Sequence, residues 1–171
     1  MHITAQEEYG LRCLLRVAKH GSDDPMRTQE VAAAEGISLE YAAKLMRVLK
    51  NGGLLVSTRG AAGGYVLARP ASEISVWHVL SVLDGPLYEE AFCASHTGSQ
   101  RNCTHTTDCS VRAVWRNINQ ILQTALSAIT LADLRRDEKS TIAWLTRELS
   151  SENASSAAEP NDVATARQRM S

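Results

Sequence analysis

The first part of the chain places its apolar side chains at a helical spacing. Between Thr4 and His20 these residues fall on one broad face, which predicts a first helix. Thr4 followed by Glu7 is the sequence of a capping box, in which the side chains and backbone at a helix start bond each other reciprocally. Residues 21–27, which include Pro25, are predicted to form a loop.

Two shorter helical patterns follow, separated by Gly36. Thr28 is predicted to cap the first and Ser38 the second, which runs to about Asn51. Two short helices around a glycine-containing turn are typical of a helix-turn-helix. The second of them has an apolar face (Tyr41, Leu45, Val48, Leu49) and a polar face (Glu40, Lys44, Arg47, Asn51). A helix of this kind suits the major groove of DNA, with its polar face toward the bases.

The spacing changes after Gly52 and Gly53, which end this helix. Residues 54–59 and 65–68 are β-prone runs joined by a small-residue, glycine-rich segment, and they predict a β-hairpin. A hairpin directly after a helix-turn-helix is the wing of a winged helix. Arg59 lies beside glycines that would let it approach a phosphate or the minor groove without obstruction.

Helical spacing returns in the second half of the chain. A helix capped near Ser72 or Ser75 is predicted to end at Asp84, and a short one is predicted at 130–134. Between them a long helix starts at Ser110 and keeps an apolar seam for about five turns. The seam consists of Val111, Val114, Trp115, Ile118, Ile121, Leu122, Ala125, Leu126 and Ile129.

These patterns predict a mainly α fold with a small β-hairpin, a winged helix-turn-helix domain plus a long helix. We expect the DNA-binding domain at residues 1–70 and a connector helix, a cysteine loop and the long helix at 71–134. A short last helix is expected at 135–149. The small and polar composition of residues 150–171 predicts a disordered tail.

The distribution of charge along the chain says more about function than the net charge does. The net charge is only −1, but five basic residues and one acidic residue fall between Ser38 and Arg69. A local basic patch is typical of a duplex-binding surface. The predicted DNA contacts are Ser38, Tyr41, Lys44, Arg47, Lys50, Asn51, Arg59, Gly60, Gly63 and Gly64, and Tyr41 is equally a candidate for the core. No phosphate loop, nucleophile triad or carboxylate pair indicates an enzyme.

The N-terminal residues lack the basic head and apolar core of a signal peptide. No apolar run approaches the roughly 20 residues that span a bilayer, so the chain is expected to be cytoplasmic. Thiols stay reduced there, and clustered cysteines are more often metal-binding or redox-active than structural bridges.

Three of the four cysteines lie close together, at Cys93, Cys103 and Cys109. The polar segment between them has no helical or strand period and predicts a loop. Three thiolates and one further donor can complete an iron–sulfur site, whereas zinc sites usually show closer cysteine pairs. A thiol–disulfide switch is the alternative. Cys13 lies among leucines and is expected in the core.

The wing sequence R-G-A-A-G-G-Y and the three-cysteine loop resemble the Rrf2 family of bacterial transcription regulators. The resemblance, over roughly residues 1–134, implies a homodimer that pairs through the long helix and binds a two-fold DNA operator. It also implies that many members hold a [2Fe-2S] or [4Fe-4S] cluster on the loop cysteines and change DNA affinity with its state. Some relatives are cluster-free, so the alternative is a thiol-switch or effector-binding regulator of the same family. A histidine ligand of some relatives is replaced by Arg112. An acidic ligand that others supply from the partner protomer matches Glu8, with His105 and His96 as alternatives.

Overall fold

The structure, a computed structural model, describes residues 2–21, 24–58, 63–89, 91–96, 103, 105 and 107–156. The helices are α1 (Ala5–His20), α2 (Thr28–Glu35), α3 (Leu39–Asn51), α4 (Val76–Leu83), α5 (Phe92–Ser95), α6 (Ser110–Ser127) and α7 (Glu138–Ser156). Strands β1 (Leu55–Thr58) and β2 (Gly64–Leu67) form an antiparallel pair with Leu55 opposite Leu67. This confirms the predicted mainly α fold with one β-hairpin. Within the described residues, no helix is long and apolar enough to cross a membrane.

The helix starts follow the capping residues of the sequence, with one difference. Thr4 Oγ1 accepts from the backbone N–H of Glu7 at 3.2 Å, and Thr4 N donates to Glu7 Oε2 at 2.8 Å, which is the predicted capping box. The prediction that Thr28 caps α2 is wrong, because the N-cap is Arg27. Arg27 N donates to Glu30 Oε2 at 2.7 Å, which fixes the extended cap conformation one residue earlier.

One apolar core joins α1, α2 and α3 to α4. Its fully buried side chains include Leu14, Leu45, Leu49, Val79 and Leu131. Helices α1 and α4 approach closely at Gly10, where a Cβ atom would lie 2.3 Å from Leu83 Cδ2. The core therefore runs across the predicted boundary at residue 70, and residues 1–135 form one compact unit.

The hairpin has a third partner that the sequence does not reveal. Met26, in the segment predicted as a loop, exchanges backbone hydrogen bonds with Tyr65 on β2 at 3.0 and 2.9 Å, and its side chain is buried. A β-bridge of one residue has no alternating apolar pattern from which it could be predicted. The bridge fastens the wing strand to the segment between α1 and α2.

The chain after α6 returns to the core beside the start of α4. Val76 N donates to the Ile129 carbonyl and Leu131 N to the Ile74 carbonyl, each at 2.8 Å. The short helix predicted at 130–134 is instead a 3₁₀ turn at Asp133–Arg135. The Asp133 carboxylate accepts from Thr130 N at 2.9 Å, so Thr130 occupies the capping position just before the turn.

Residues 136–171 form a second unit, which contains α7. Asp137 starts the helix, since its carboxylate accepts from Ser140 N and Ser140 Oγ at 3.0 and 2.6 Å, and these bonds lower the pKa of Asp137. The last helix, expected to end at residue 149, continues to Ser156 and so extends into the predicted tail. No glycine or proline interrupts residues 150–156, so the segment contains no residue that breaks a helix.

Candidate nucleic-acid interface and cysteine segment

The outer face of α3 presents the predicted basic residues to solvent. Lys44, Arg47, Lys50 and Asn51 are exposed, as is the capping residue Ser38. On the opposite face Ala42, Leu45, Met46 and Leu49 are fully buried. The helix therefore has one side held rigidly by the core and one polar, positively charged side free to contact a duplex.

Tyr41 belongs to the edge of the core. Its ring is half-buried and meets the ring of Tyr9 edge-on, with centroids 6.1 Å apart. An edge-on aromatic pair of this kind contributes to packing beyond the area that it buries. Tyr41 thus packs against the core, and its predicted contact with DNA stays a prediction.

The wing is described only at its base. Gly64 N donates to Thr58 Oγ1 at 3.1 Å, which closes the hairpin next to Gly63. A Cβ atom at residue 64 would lie 2.7 Å from the Met26 carbonyl oxygen, so the backbone approach of Met26 requires the glycine. Arg59 and Gly60, two of the predicted DNA contacts, lie outside the described residues.

A buried carboxylate holds the helix-turn-helix against α1. Glu35, at the C-terminal end of α2, is 8% exposed. Its two oxygens accept from Arg16 Nε at 2.7 Å and Arg12 Nε at 2.8 Å. The bond to Glu35 raises the pKa of Arg12. Glu35 was not among the residues predicted from the sequence. Its position is a signal, however, because a carboxylate at a helix C-terminus is unfavourable to the helix dipole and is stabilised by nearby cations.

Glu8, the predicted ligand from a partner protomer, lies on the exposed side of α1. Its side chain is 55% exposed, and its carboxylate lies 4.0 Å from Arg12 Nη1. Arg12 also lies over the ring of Tyr9, with its guanidinium carbon 5.2 Å from the ring centroid. Glu8 is thus accessible and held only by a long, half-exposed ion pair, which contributes little to stability.

Cys93 lies on a short helix rather than in a loop. The prediction of a loop starting at Cys93 is wrong at its first residues, because α5 forms one turn from Phe92. Cys93 Sγ and Tyr88 Oη are hydrogen-bonded at 3.3 Å, and this bond raises the pKa of Tyr88. Tyr88 N donates to Asn119 Oδ1 on α6 at 3.3 Å. Tyr88 therefore connects Cys93 with the long helix.

Cys109 is the N-cap of α6. Its Sγ accepts from Arg112 N at 3.4 Å, in the place that an oxygen of serine or aspartate usually takes. A cavity of about 280 Å³ at this helix end is lined by His105, Asp108 and Cys109, together with Ser110 and Val111. Of the two predicted alternative ligands, His105 is therefore adjacent to a loop cysteine.

His96 is engaged within α5. Its Nδ1 lies 3.0 Å from the Phe92 carbonyl oxygen, and its ring stacks on that of Phe92 with centroids 4.1 Å apart. The loop cysteines Cys93, Cys103 and Cys109 are all half-buried free thiols, while Cys13 is completely buried. Burial raises the pKa of Cys13 to about 11, so this thiol stays protonated at neutral pH.

The side chains of the cysteine segment suit an iron–sulfur cluster by their chemical type but not by their arrangement. Three half-buried thiols on one segment are the ligand type that such clusters use. Within the described residues, however, no three side chains of His, Cys, Asp or Glu lie close enough together to hold a metal ion. The chemistry of the cysteines fits a cluster, whereas a single chain in this conformation does not bring them together.

Helix α6 leaves part of its apolar seam uncovered. None of its residues is buried, and Val111, Val114 and Ile121 are more than half exposed. A cavity of about 480 Å³ lies between α6, α4 and the start of α1, and its walls include Trp77, Leu80, Leu122 and Leu126. The carboxylates of Glu7 and Asp84 also line it.

Known proteins resemble this chain over both the DNA-binding part and α6. A family model described as Rrf2, iron-dependent transcriptional regulator, matches residues 3–137. The chain belongs to the Rrf2 family. The protein rrf2 of Nitratidesulfovibrio vulgaris is 37% identical over 142 residues, which cover 80% of this chain and 89% of that protein. This agrees with a transcriptional regulator and not with an enzyme.

Two solved structures of such regulators share the fold. CymR, the global cysteine regulator of Bacillus subtilis, has a TM-score of 0.62 and 27% identity, covering 79% of this chain and 96% of CymR. IscR of T. potens has a TM-score of 0.60 and 27% identity, covering 94% of this chain and 93% of IscR. The winged-helix fold of the Rrf2 family is thereby confirmed.

Proposed function

We propose that this Rrf2-family chain is a homodimeric DNA-binding regulator, most simply a repressor, that responds to redox, iron or nitric oxide status through Cys93, Cys103 and Cys109. The observation that carries the DNA-binding part is the exposed basic face of α3, held by a fully buried apolar face. Lys44 and Arg47 would contact guanine edges, and Lys50 and Asn51 would contact phosphates of a duplex operator.

The second copy is proposed to cover α6. Val111, Val114 and Ile121 repeat at intervals of three and seven residues, which is the spacing at which one helix packs along another. Large apolar side chains exposed along one stripe are typical of a protein interface. Pairing through α6 would place two α3 helices on one duplex, as a two-fold operator requires.

The three loop cysteines are proposed to hold an iron–sulfur cluster, with Glu8 of the partner protomer as the fourth ligand. The exposure of Glu8 supports this, because a carboxylate held by one long ion pair is available to leave it. A bound cluster would supply a charge that changes with its oxidation state. Cys109 at the start of α6, and Tyr88 between Cys93 and α6, would connect that region to the dimer helix.

A cluster-free regulator is the second candidate. The loop thiols are free and half-buried, and the described residues contain no assembled metal site. These observations support a thiol switch as well as they support a cluster. The cavity between α1, α4 and α6 favours an effector-binding regulator, since its volume of about 480 Å³ lies in the range of small-molecule pockets.

Anaerobic purification with iron and sulfide analysis distinguishes these candidates. We expect the unaltered protein to contain both elements and to absorb visible light, and Cys103→Ala to lose both properties. Cys13→Ala is the matched control, because Cys13 is buried in the core and should leave the metal content unchanged. Affinity for a duplex selected from a random pool should change in Cys103→Ala and stay the same in Cys13→Ala.

The other outcomes assign the alternatives. Protein that is free of iron after strictly anaerobic preparation contradicts the cluster. Loss of DNA binding on mild oxidation, prevented by Cys103→Ala, would then support the thiol switch. If neither iron nor oxidation changes DNA affinity, the cysteines are not the sensor.

A further inference from the structure

The first turn of α3 carries an apolar side chain that the core does not use. Leu39 is the first residue of α3 and is 49% exposed. The neighbouring apolar residues Ile37 and Tyr41 pack against the core, whereas Leu39 is outside that group. The α3 start is already fixed by the Ser38 cap, with Ser38 Oγ 3.2 Å from Tyr41 N. Leu39 therefore leaves about half of its surface uncovered, and the cap does not involve its side chain.

The adjacent residue, Glu40, is acidic in a region that is otherwise basic. Glu40 is exposed and is the one acidic residue between Ser38 and Arg69, where five residues are basic. A carboxylate facing DNA weakens binding to any sequence, because phosphates repel it. It adds to recognition only where it accepts a hydrogen bond from a base amino group, such as N4 of cytosine.

The position of both residues is the one from which a recognition helix contacts bases. In a helix-turn-helix the N-terminal residues of the second helix contact the base edges in the major groove. Lys50 lies eleven residues beyond Leu39, which is about 16 Å along the helix axis. The major groove is about 12 Å wide, so with Leu39 among the bases Lys50 would lie near the phosphates.

We propose that Leu39 and Glu40 add two base contacts to the guanine contacts of Lys44 and Arg47: Leu39 contacts the 5-methyl group of a thymine, and Glu40 accepts a hydrogen bond from the amino group of a neighbouring cytosine. This proposal rests on the proposed DNA binding through α3. The first turn of α3 would then contribute neutral and acidic base contacts, whereas the basic remainder would contact guanines and phosphates and supply most of the affinity. Apolar contact is the way proteins distinguish thymine by its methyl group.

Removal of single methyl groups from the DNA tests Leu39 without altering the protein. A duplex is selected from a random pool with the full-length chain, and each thymine is replaced by uracil in turn. We expect one position per half-site at which uracil weakens binding about fourfold, the factor for burial of one methyl-sized group. Leu39→Ala should bind the thymine and uracil duplexes equally. Ile3→Ala, which shortens an apolar side chain that is 75% exposed before α1, should keep the fourfold difference.

Glu40→Gln tests the second contact. We expect it to bind random-sequence DNA more tightly and to lose its preference for cytosine at one position of a second selection. The proposal is overturned if no uracil weakens binding, if Leu39→Ala retains the same uracil effect, or if Glu40→Gln selects the same sequence. Failure to select any duplex would instead contradict DNA binding itself, so the two failures are distinguishable.

Discussion

The core formed by α1–α4 and the apolar seam of α6 contain the same kinds of apolar side chain, but the core side chains are buried and several seam side chains are exposed. Leu14 and Leu45 are completely buried within the core. In α6, Val111 is 62% exposed and Ile121 is 59% exposed, although the apolar seam of this helix is as regular as any in the chain. A regular seam therefore predicts burial in general, but it does not tell whether the covering surface belongs to the same chain.

This difference separates two sources of stability. The core is complete within one chain, so its contribution to the free energy of unfolding should not depend on protein concentration. The contribution of α6 should depend on it, because anything that binds only the folded state stabilises that state by mass action. The following changes test this distinction, from the largest expected effect on the fold to the smallest.

Matched truncations in the two regions should differ most. Leu45→Ala opens a cavity in a rigid core and should lower the free energy of unfolding by about 2–5 kcal/mol at every protein concentration. Ile121→Ala removes a similar volume from α6 and should cost less than about 0.5 kcal/mol once the proposed dimer is diluted to monomers. Urea unfolding at several concentrations measures both. A concentration-dependent loss for Leu45→Ala would contradict the distinction.

The buried thiol of Cys13 should give the core a characteristic pH dependence. Burial raises its pKa to about 11, whereas the unfolded chain releases this proton near pH 9. The thiol therefore stabilises the fold fully below about pH 9, and this contribution is lost as the pH rises toward 11. The loss should be on the order of 2 kcal/mol by linkage. Unfolding measured from pH 8 to 11 should show it as a steeper fall for the unaltered protein than for Cys13→Ala.

The Glu35 ion pairs should contribute less, because the two arginine side chains remain about half exposed to water. Glu35→Gln keeps the shape but removes the charge that Arg12 and Arg16 bond, and we expect a loss of about 1–2 kcal/mol in urea unfolding. Glu73→Gln, an exposed carboxylate change in a 3₁₀ turn, is the control and should stay within about 0.5 kcal/mol. Equal losses in the two variants would show that Glu35 does not hold α2 in place.

The sequence predicted those features whose cause is local. The Thr4 and Ser38 caps, the α3 faces and the hairpin all follow from residues within about one helical turn or one strand of each other. Met26, Glu35 and Tyr88 could not be assigned in this way, since each acts on a segment distant along the chain. The bond of Met26 to Tyr65 and that of Tyr88 to Asn119 depend on tertiary packing, which no local period records.

The cysteine segment was predicted only in part for the same reason. The number and spacing of the thiols indicated their chemistry, but not that Cys93 would lie on a helical turn or that Cys109 would cap α6. The position of Cys93 depends on Tyr88, which bonds both Cys93 and Asn119 of the long helix, and cysteine is not a residue that usually caps a helix. The proposed fourth ligand, Glu8, would come from a second chain. Contacts between two chains are even harder to predict from the sequence than contacts within one chain.

Sedimentation equilibrium of Val114→Asp is the most direct test of the proposed dimer helix. Val114 is 54% exposed on α6, so the single chain should tolerate a carboxylate there with little loss of stability, whereas an apolar interface between two copies should not. We expect the unaltered protein to sediment as a dimer and Val114→Asp as a folded monomer with weakened affinity for a two-fold duplex. A Val114→Asp variant that remains dimeric and binds the duplex unchanged would contradict pairing through α6.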